Sequence, residues 1–219
     1  YEIPLRLVGS EMCIRDRNGV GNATKIENIY ILESADDAVE FFGGTVNVTN
    51  LLAVNPDDDM FDFTQGYSGK LKNCYGVWES GYTSTEADPR GIEADGNLDG
   101  DYSDHLRQSD FTVENMTIVN NAANTTDNVD RMQDVIKIRR GAKATITNAL
   151  VKGSGGTIDL IDMNDSKEYV LLGKGVGFGK KPGERFEQPV DCTVYSLQET
   201  SSRGDAADPV SYTHLRAHE

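Results

Sequence analysis

The sequence predicts an all-β chain wound as a parallel β-helix of about five coils, each with two or three short strands. Three observations carry this. An aliphatic–polar–Asn triplet occurs five times, at Ile26-Glu27-Asn28, Val48-Thr49-Asn50, Leu71-Lys72-Asn73, Val113-Glu114-Asn115 and Ile146-Thr147-Asn148, with Asn-to-Asn spacings of 22, 23, 42 and 33. Aligned on that Asn, the flanking positions form columns of constant character. A second short alternating segment follows every triplet. A repeat near 22 residues is short for a strand plus a helix of ordinary length, and the leucine-dominated columns of a horseshoe repeat are absent. A β-sandwich gives no reason for columns that stay in register.

The first strand of each coil leads into the Asn. Three positions before it stand Lys25, Asn47, Lys70, Thr112 and Thr145, and one position before it Glu27, Thr49, Lys72, Glu114 and Thr147. The aliphatic residue lies between them, and this period-two alternation marks a strand with one buried face. Asn suits a bend, because it tolerates the left-handed region and hydrogen-bonds locally. Asn28, Asn50, Asn73, Asn115 and Asn148 are therefore expected to stack as a structural ladder. After the bend comes the apolar column Ile29, Leu51, Cys74, Met116 and Ala149.

The second strands are expected at 38–42, 60–64, 91–95, 135–139 and 157–161. Val39, Phe61, Ile92, Ile136 and Ile158 align as one inward column, and Phe41, Phe63, Ala94, Ile138 and Leu160 as the next. Between these columns stand Glu40, Asp62, Glu93, Lys137 and Asp159, which parity turns outward. The two long spacings fit one coil each with an insertion. Residues 166–208 lose the pattern: 173–189 (GKGVGFGKKPGERFEQP) reads as loop, with a docking strand at 168–172 and a last strand from Cys192.

Both termini are expected to be foreign to the coil stack. One permitted coding strand for residues 210–219 (VSYTHLRAHE), read on its complement, translates as LVGSEMCIRD, which is residues 7–16 residue for residue. The shared oligonucleotide resembles a transposon-end adapter of sequencing libraries. Residues 1–17 and 209–219 are thus read as adapter-derived, with 18–165 as the coils and 166–208 as a loop-rich part of a natural piece cut at both ends. Cys13, His214 and His218 leave the inventory, so Cys74, Cys192 and His105 remain. Arg6, Arg15, Arg17 and Arg216 offset Glu2, Glu11, Asp16 and Glu219, and the net charge of −15 stays on the natural piece. That charge argues against nucleic-acid phosphates and anionic membrane surfaces as partners. No apolar run is long enough for a transmembrane segment.

The segments 33–50 (ESADDAVEFFGGTVNVTN) and 91–97 (GIEADGN) resemble coil units of the right-handed, pectin-lyase-like β-helix superfamily, and more narrowly bacterial surface proteins of that fold. The resemblance covers about residues 20–165. It implies right-handed coils and a secreted or cell-surface location. It does not specify an activity, because this fold carries many.

Candidate sites follow the acidic residues. Glu40, Asp62 and Glu93 stack at about 4.8 Å with no cation between them, and the preceding turns add Asp36, Asp37, Asp57, Asp58 and Asp59 on the same flank. Two readings are open: a solvated acidic face, or a flank that binds a ligand or a cation such as Ca²⁺, which takes six to eight oxygens. A second Ca²⁺ candidate is the set Asp95, Asn97, Asp99 and Asp101, although Leu106 stands where an EF-hand loop has Glu. An enzyme reading would use Asp36, Asp37, Asp58 and Asp59, placed like the acidic pairs of β-helix polygalacturonases, with Lys137 as a lyase base. The Gly-His-Gly and Arg-Ile-Lys motifs of those enzymes have no counterpart. Trp78, Tyr75, Tyr82 and Tyr102 lie near the insertions and suit either sugar stacking or packing. A Cys74–Cys192 disulfide is left open. The expected function is a scaffold for adhesion or glycan binding, with Ca²⁺ on the acidic flank. The alternatives are a polysaccharide-degrading enzyme and a ligand-free spacer.

Overall fold

A computed structural model describes residues 6–8, 19–96, 107–122, 132–155, 159–163, 168–174 and 186–197. The long strands of the five coils are β2 (Lys25–Leu32), β4 (Asn47–Val54), β6 (Lys70–Trp78), β8 (Asp110–Asn120) and β10 (Lys143–Gly153). The short ones are β3 (Glu40–Phe42), β5 (Phe61–Thr64), β7 (Ile92–Ala94), β9 (Asp134–Ile138) and β11 (Asp159–Asp162). Long strands pair only with long and short only with short, giving the orders β2-β4-β6-β8-β10 and β3-β5-β7-β9-β11. Every coil-to-coil pairing is parallel. Ile26 lies opposite Val48, Val48 opposite Leu71, Leu71 opposite Val113 and Val113 opposite Ile146, as the aligned columns require.

Each long strand is one run bent at its Asn. Asn28, Asn50, Asn73, Asn115 and Asn148 have φ of 58°, 60°, 56°, 57° and 50°. A left-handed non-glycine residue costs roughly 1–2 kcal/mol, and the side chains offset it by bonding along the stack. Asn50 Nδ2 donates to Asn28 Oδ1 at 2.8 Å, Asn73 to Asn50 at 3.0 Å, Asn115 to Asn73 at 3.0 Å and Asn148 to Asn115 at 2.7 Å. The expected ladder is present along all five coils.

The core fills the space between the two sheets. Val48, Leu71, Val113 and Ile146 are buried on one side of the bend, and Leu51, Cys74, Met116 and Ala149 on the other. Aromatic rings stack along the axis: Phe41 on Phe63 with centroids 5.2 Å apart, Phe63 on Phe111 at 4.0 Å, and Tyr67 against Phe41 at 4.5 Å. The Tyr67 hydroxyl is satisfied inside this core by donating to the Val46 carbonyl at 2.7 Å. After β5 the chain turns through Gln65 and Gly66, both at positive φ. A Cβ at Gly66 would sit 2.9 Å from the Arg107 carbonyl oxygen, so a side chain there has neither the backbone conformation nor the room.

Two departures concern the last coil and the chain ends. Asp162, not Asp159, lies opposite Lys137, and Ile161, not Ile158, opposite Ile136. Ile-Asp occurs twice in this stretch, three residues apart, so character alone leaves two alignments, and the backbone takes the later one. Within 166–208, β12 (Glu168–Lys174) and β13 (Phe186–Leu197) contain the two expected strands and extend them. They run antiparallel, β13 on β10 and β12 on β13, so the parallel stack ends in a reversed pair. β1 (Arg6–Val8), inside the stretch read as adapter-derived, pairs with the outer edge of β2. Such pairing uses backbone groups that any sequence supplies.

Cys74 is a buried free thiol. Cys192 lies on β13 opposite Ile146, three strands away from β6, or about 14 Å at the usual strand spacing. That is beyond the reach of a disulfide.

Candidate functional site

The short sheet brings the expected outward column together. Glu40 pairs opposite Asp62, Asp62 opposite Glu93, Glu93 opposite Lys137 and Lys137 opposite Asp162. The column points away from the coil interior, as parity demands, but it is not a solvated face. Asp62 is only 8% exposed and Lys137 5%, while Glu40 and Glu93 are half-buried. Four charged side chains in a row, held out of bulk water, each need a partner or a proton.

The turns before the short strands add the other acids. Two coils pass through the same conformation here: Ala38 N–H donates to the Asp59 carbonyl at 2.9 Å, and Asp58 N–H to the Asp36 carbonyl at 3.4 Å. Asp37 Oδ1 accepts the Asp59 amide at 2.9 Å, and Asp59 Oδ1 accepts the Arg90 amide at 2.6 Å. These two carboxyl groups therefore satisfy main-chain donors of the next coil. Asp57 is committed elsewhere. Its carboxylate accepts the Thr85 amide at 2.8 Å, the Thr85 hydroxyl and the Tyr82 hydroxyl at 3.4 Å, which folds the insertion after β6 back onto the second coil. Trp78 Nε1 and Tyr82 Oη both donate to the Pro56 carbonyl, at 3.0 and 2.9 Å. Trp78 and Tyr82 thus anchor that insertion, and of the four aromatics considered Tyr75 alone is exposed among the described residues. Tyr102 lies outside them.

Charge divides this flank into two parts. In the third to fifth coils the carboxylates meet bases. Glu93 is held by Arg90 and by Arg139 Nη2 at 2.7 Å; Asp95 is held by Arg139 Nε at 3.1 Å and Arg140 Nη1 at 3.3 Å; Lys137 contacts Asp162. Arg90 also reaches Asp88 at 2.9 Å and Asp134 at 3.7 Å. In the first two coils, among the described residues, no basic side chain pairs with Asp36, Asp37, Asp58 or Asp62. The carboxylate oxygens of Asp37, Glu40 and Asp62 all lie within 4.8 Å of one another, and so do those of Asp36, Asp37 and Asp58. Asp62 Oδ1 and Asp58 Oδ1 are buried without a hydrogen-bond donor.

The electrostatic consequence is uniform in sign. Burial, reinforced by Asp58, raises Asp37 to about 9. Burial and then Glu93 raise Asp58 to about 7. Asp59 and Asp62 stand well above the usual carboxylate range, mainly through burial, with Arg90 partly offsetting the shift at Asp59. Glu93 is also raised by burial, though Arg139 and Arg90 pull it back. Without an ion, the cluster of the first two coils is a proton store; with one, it is a set of hard oxygen ligands.

The other candidate sites are placed as follows. Asp95 is buried and engaged by two arginines, which leaves its carboxylate to them rather than to an ion. Asn97, Asp99 and Asp101 lie outside the described residues. Lys137 is held against Asp162 instead of standing free as a base. The oxygens of Asp36, Asp37 and Asp58 converge within 4.8 Å of one another, and Asp59 is engaged by the Arg90 amide. Sequence reasoning missed the roles of Arg90, Arg139 and Asp134. A signal for Arg139 exists: it follows the aligned Ile138 as Asp95 follows Ala94, so acid and base occupy one column in successive coils.

Among the described residues no helix is long and apolar enough to cross a membrane. A family model described as a pectate-lyase like beta helix domain matches residues 17–177, more than half of the chain. A second model, described as a CAT RNA binding domain, matches residues 160–203. No curated protein and no solved structure matches the chain.

Proposed function

The chain belongs to the pectate-lyase-like β-helix domain family, and on that premise we propose that it is a secreted or cell-surface scaffold that holds a divalent cation between its first two coils. Ca²⁺ suits a ligand set made only of carboxylate oxygens. A cation held there also presents open coordination positions to the carboxylates of an acidic glycan, which would serve adhesion. One observation carries this reading: Asp37, Glu40 and Asp62 converge within 4.8 Å, and Asp62 Oδ1 is buried there with no donor. A lone buried carboxylate oxygen is costly, and a cation removes that cost.

Calorimetric titration of Ca²⁺ into metal-stripped protein tests it. A saturable heat at one ion per chain is expected, weakened at least tenfold by Asp62→Asn and by Glu40→Gln. No heat from the unaltered protein, or equal heat from Asp62→Asn, would sink the reading.

A further inference from the structure

We propose that Lys137 and Asp162 become joined by a side-chain amide, Nζ of the lysine bonded to Cγ of the aspartate, which the folded chain forms by itself with loss of one water. The proposal does not rest on the cation reading, whose ligands belong to the first two coils.

Place in the fold selects this pair. Lys137 lies on β9, and the register sets Asp162 of β11 directly opposite it in the next coil. Lys137 Nζ and Asp162 Oδ2 are in contact. Both side chains are withdrawn from water, at 6% and 9% exposure. Elsewhere among the described residues, the lysines that pair with carboxylates stand at the surface: Lys25 is 73% exposed, Lys70 43%, Lys72 48% and Lys143 30%. Other buried carboxylates of this flank, Glu93, Asp95 and Asp134, meet Arg90 or Arg139. A guanidinium stays charged and does not attack a carboxyl group. A lysine differs, because its amine is a nucleophile once a proton has moved to the partner.

The step balances within the pair. One ammonium proton passes to the Asp162 carboxylate, giving an amine and a carboxylic acid. The amine lone pair forms the Nζ–Cγ bond, the Cγ–OH bond breaks, and the hydroxyl leaves as water with a second proton from Nζ. Nothing is oxidised or reduced, and no co-reactant enters. Two properties of the fold favour the product. The register holds the reacting groups together, and effective concentrations in well-oriented intramolecular reactions reach about 10⁵ M or more. The amide also replaces two charges that are costly to hold away from water with one neutral group.

A second carboxyl completes the arrangement. Glu93 lies opposite Lys137 on its other side, about one strand spacing of 4.8 Å away, and Arg90 and Arg139 fix it there. It is placed to take the second proton from Nζ and to return it to the departing hydroxyl. Lys137 therefore stands between a base and an electrophile in one buried column. Lys70 and Lys72, on the long sheet, have no acid on both sides in register: Asn47 and Thr112 flank the first, Thr49 and Glu114 the second.

Mass spectrometry of the full chain, folded in EDTA and denatured just before measurement, tests the proposal. The unaltered chain is expected to be lighter than its sequence by one water. After tryptic digestion, the peptides containing Lys137 and Asp162 should emerge as one joined species, with no cleavage after Lys137. Lys137→Arg and Asp162→Ala should each restore the full mass. Glu93→Gln should slow the loss of water after refolding at least tenfold. The proposal is overturned if the unaltered folded chain keeps its full mass, if trypsin cuts after Lys137, or if the missing water maps to a cyclised aspartate elsewhere. Equal rates in Glu93→Gln and the unaltered chain would overturn the part given to Glu93.

Discussion

Asp62 and Glu93 are register neighbours in one column of one sheet, yet they sit in opposite electrostatic surroundings. Glu93 belongs to the part of the stack where buried acids meet arginine, and Arg90 and Arg139 both reach it. Asp62 belongs to the part where several carboxyl groups converge, and one of its oxygens has no donor. The backbone is indifferent to the choice, since both coils make the same parallel pairings. What differs is the agent that removes the charge: guanidinium in one region, and a proton or a metal ion in the other. The paired region is thus structural, and the unpaired region is free to respond to its surroundings.

The largest effect should come from breaking the paired region. Arg139→Met leaves Glu93 and Asp95 buried without their shared base, and urea unfolding should show a loss of about 3–5 kcal/mol. A loss below about 1 kcal/mol would erase the distinction between the two regions. Next in size is the response to Ca²⁺. At a hundredfold excess over its Kd the ion should stabilise the unaltered chain by about 2.7 kcal/mol. At the same Ca²⁺ concentration Asp62→Asn should lose at least half of that gain, and Arg139→Met should keep it.

Somewhat smaller is the pH effect in metal-free buffer. Asp58 near 7 and Asp37 near 9 hold protons in the folded chain that the unfolded chain releases near 4. The folded state therefore binds more protons across that window, and stability is highest near its acid end. It should fall as pH rises from about 4 to 9; above 7, where Asp58 has ionised, Asp37 carries the fall at about 1.4 kcal/mol per pH unit. Asp37→Asn with Asp58→Asn should reduce the slope and leave the part due to Asp59 and Asp62; a stability that climbs with pH would overturn this expectation. The smallest effect lies on the long sheet, remote from both charge regions. Asn73→Ala removes two ladder bonds and strains a residue at φ 56°, at a cost of about 1–2 kcal/mol in thermal unfolding. Asn73→Gly should cost less, because glycine takes that conformation freely.

How far these features were legible in the sequence depends on their range. The Asn ladder was readable because a left-handed bend and a period-two strand are local demands, restated five times. The direction of Asp62 and Lys137 was readable for the same reason. Their burial was not, because parity says which way a side chain leaves the coil and nothing about what lies over it. The insertion after β6 is an example: it folds back through Asp57, Tyr82 and Ser84 and delivers Arg90 against Glu93, a contact that no spacing encodes. The slip at Asp162 shows a different limit, an alignment by residue character where Ile-Asp occurs twice.

The register of the acidic cluster has a mechanical meaning. Coils in such a stack touch only their neighbours, so the fold opens like a zipper, one interface at a time. Asp37 and Glu40 belong to the first coil and Asp62 to the second. An ion shared among them, as proposed, would be a rivet through that single interface. Its presence would set how readily the first coil frays, and hence whether the β2 and β3 amides exchange with solvent alone or only when the whole stack comes apart.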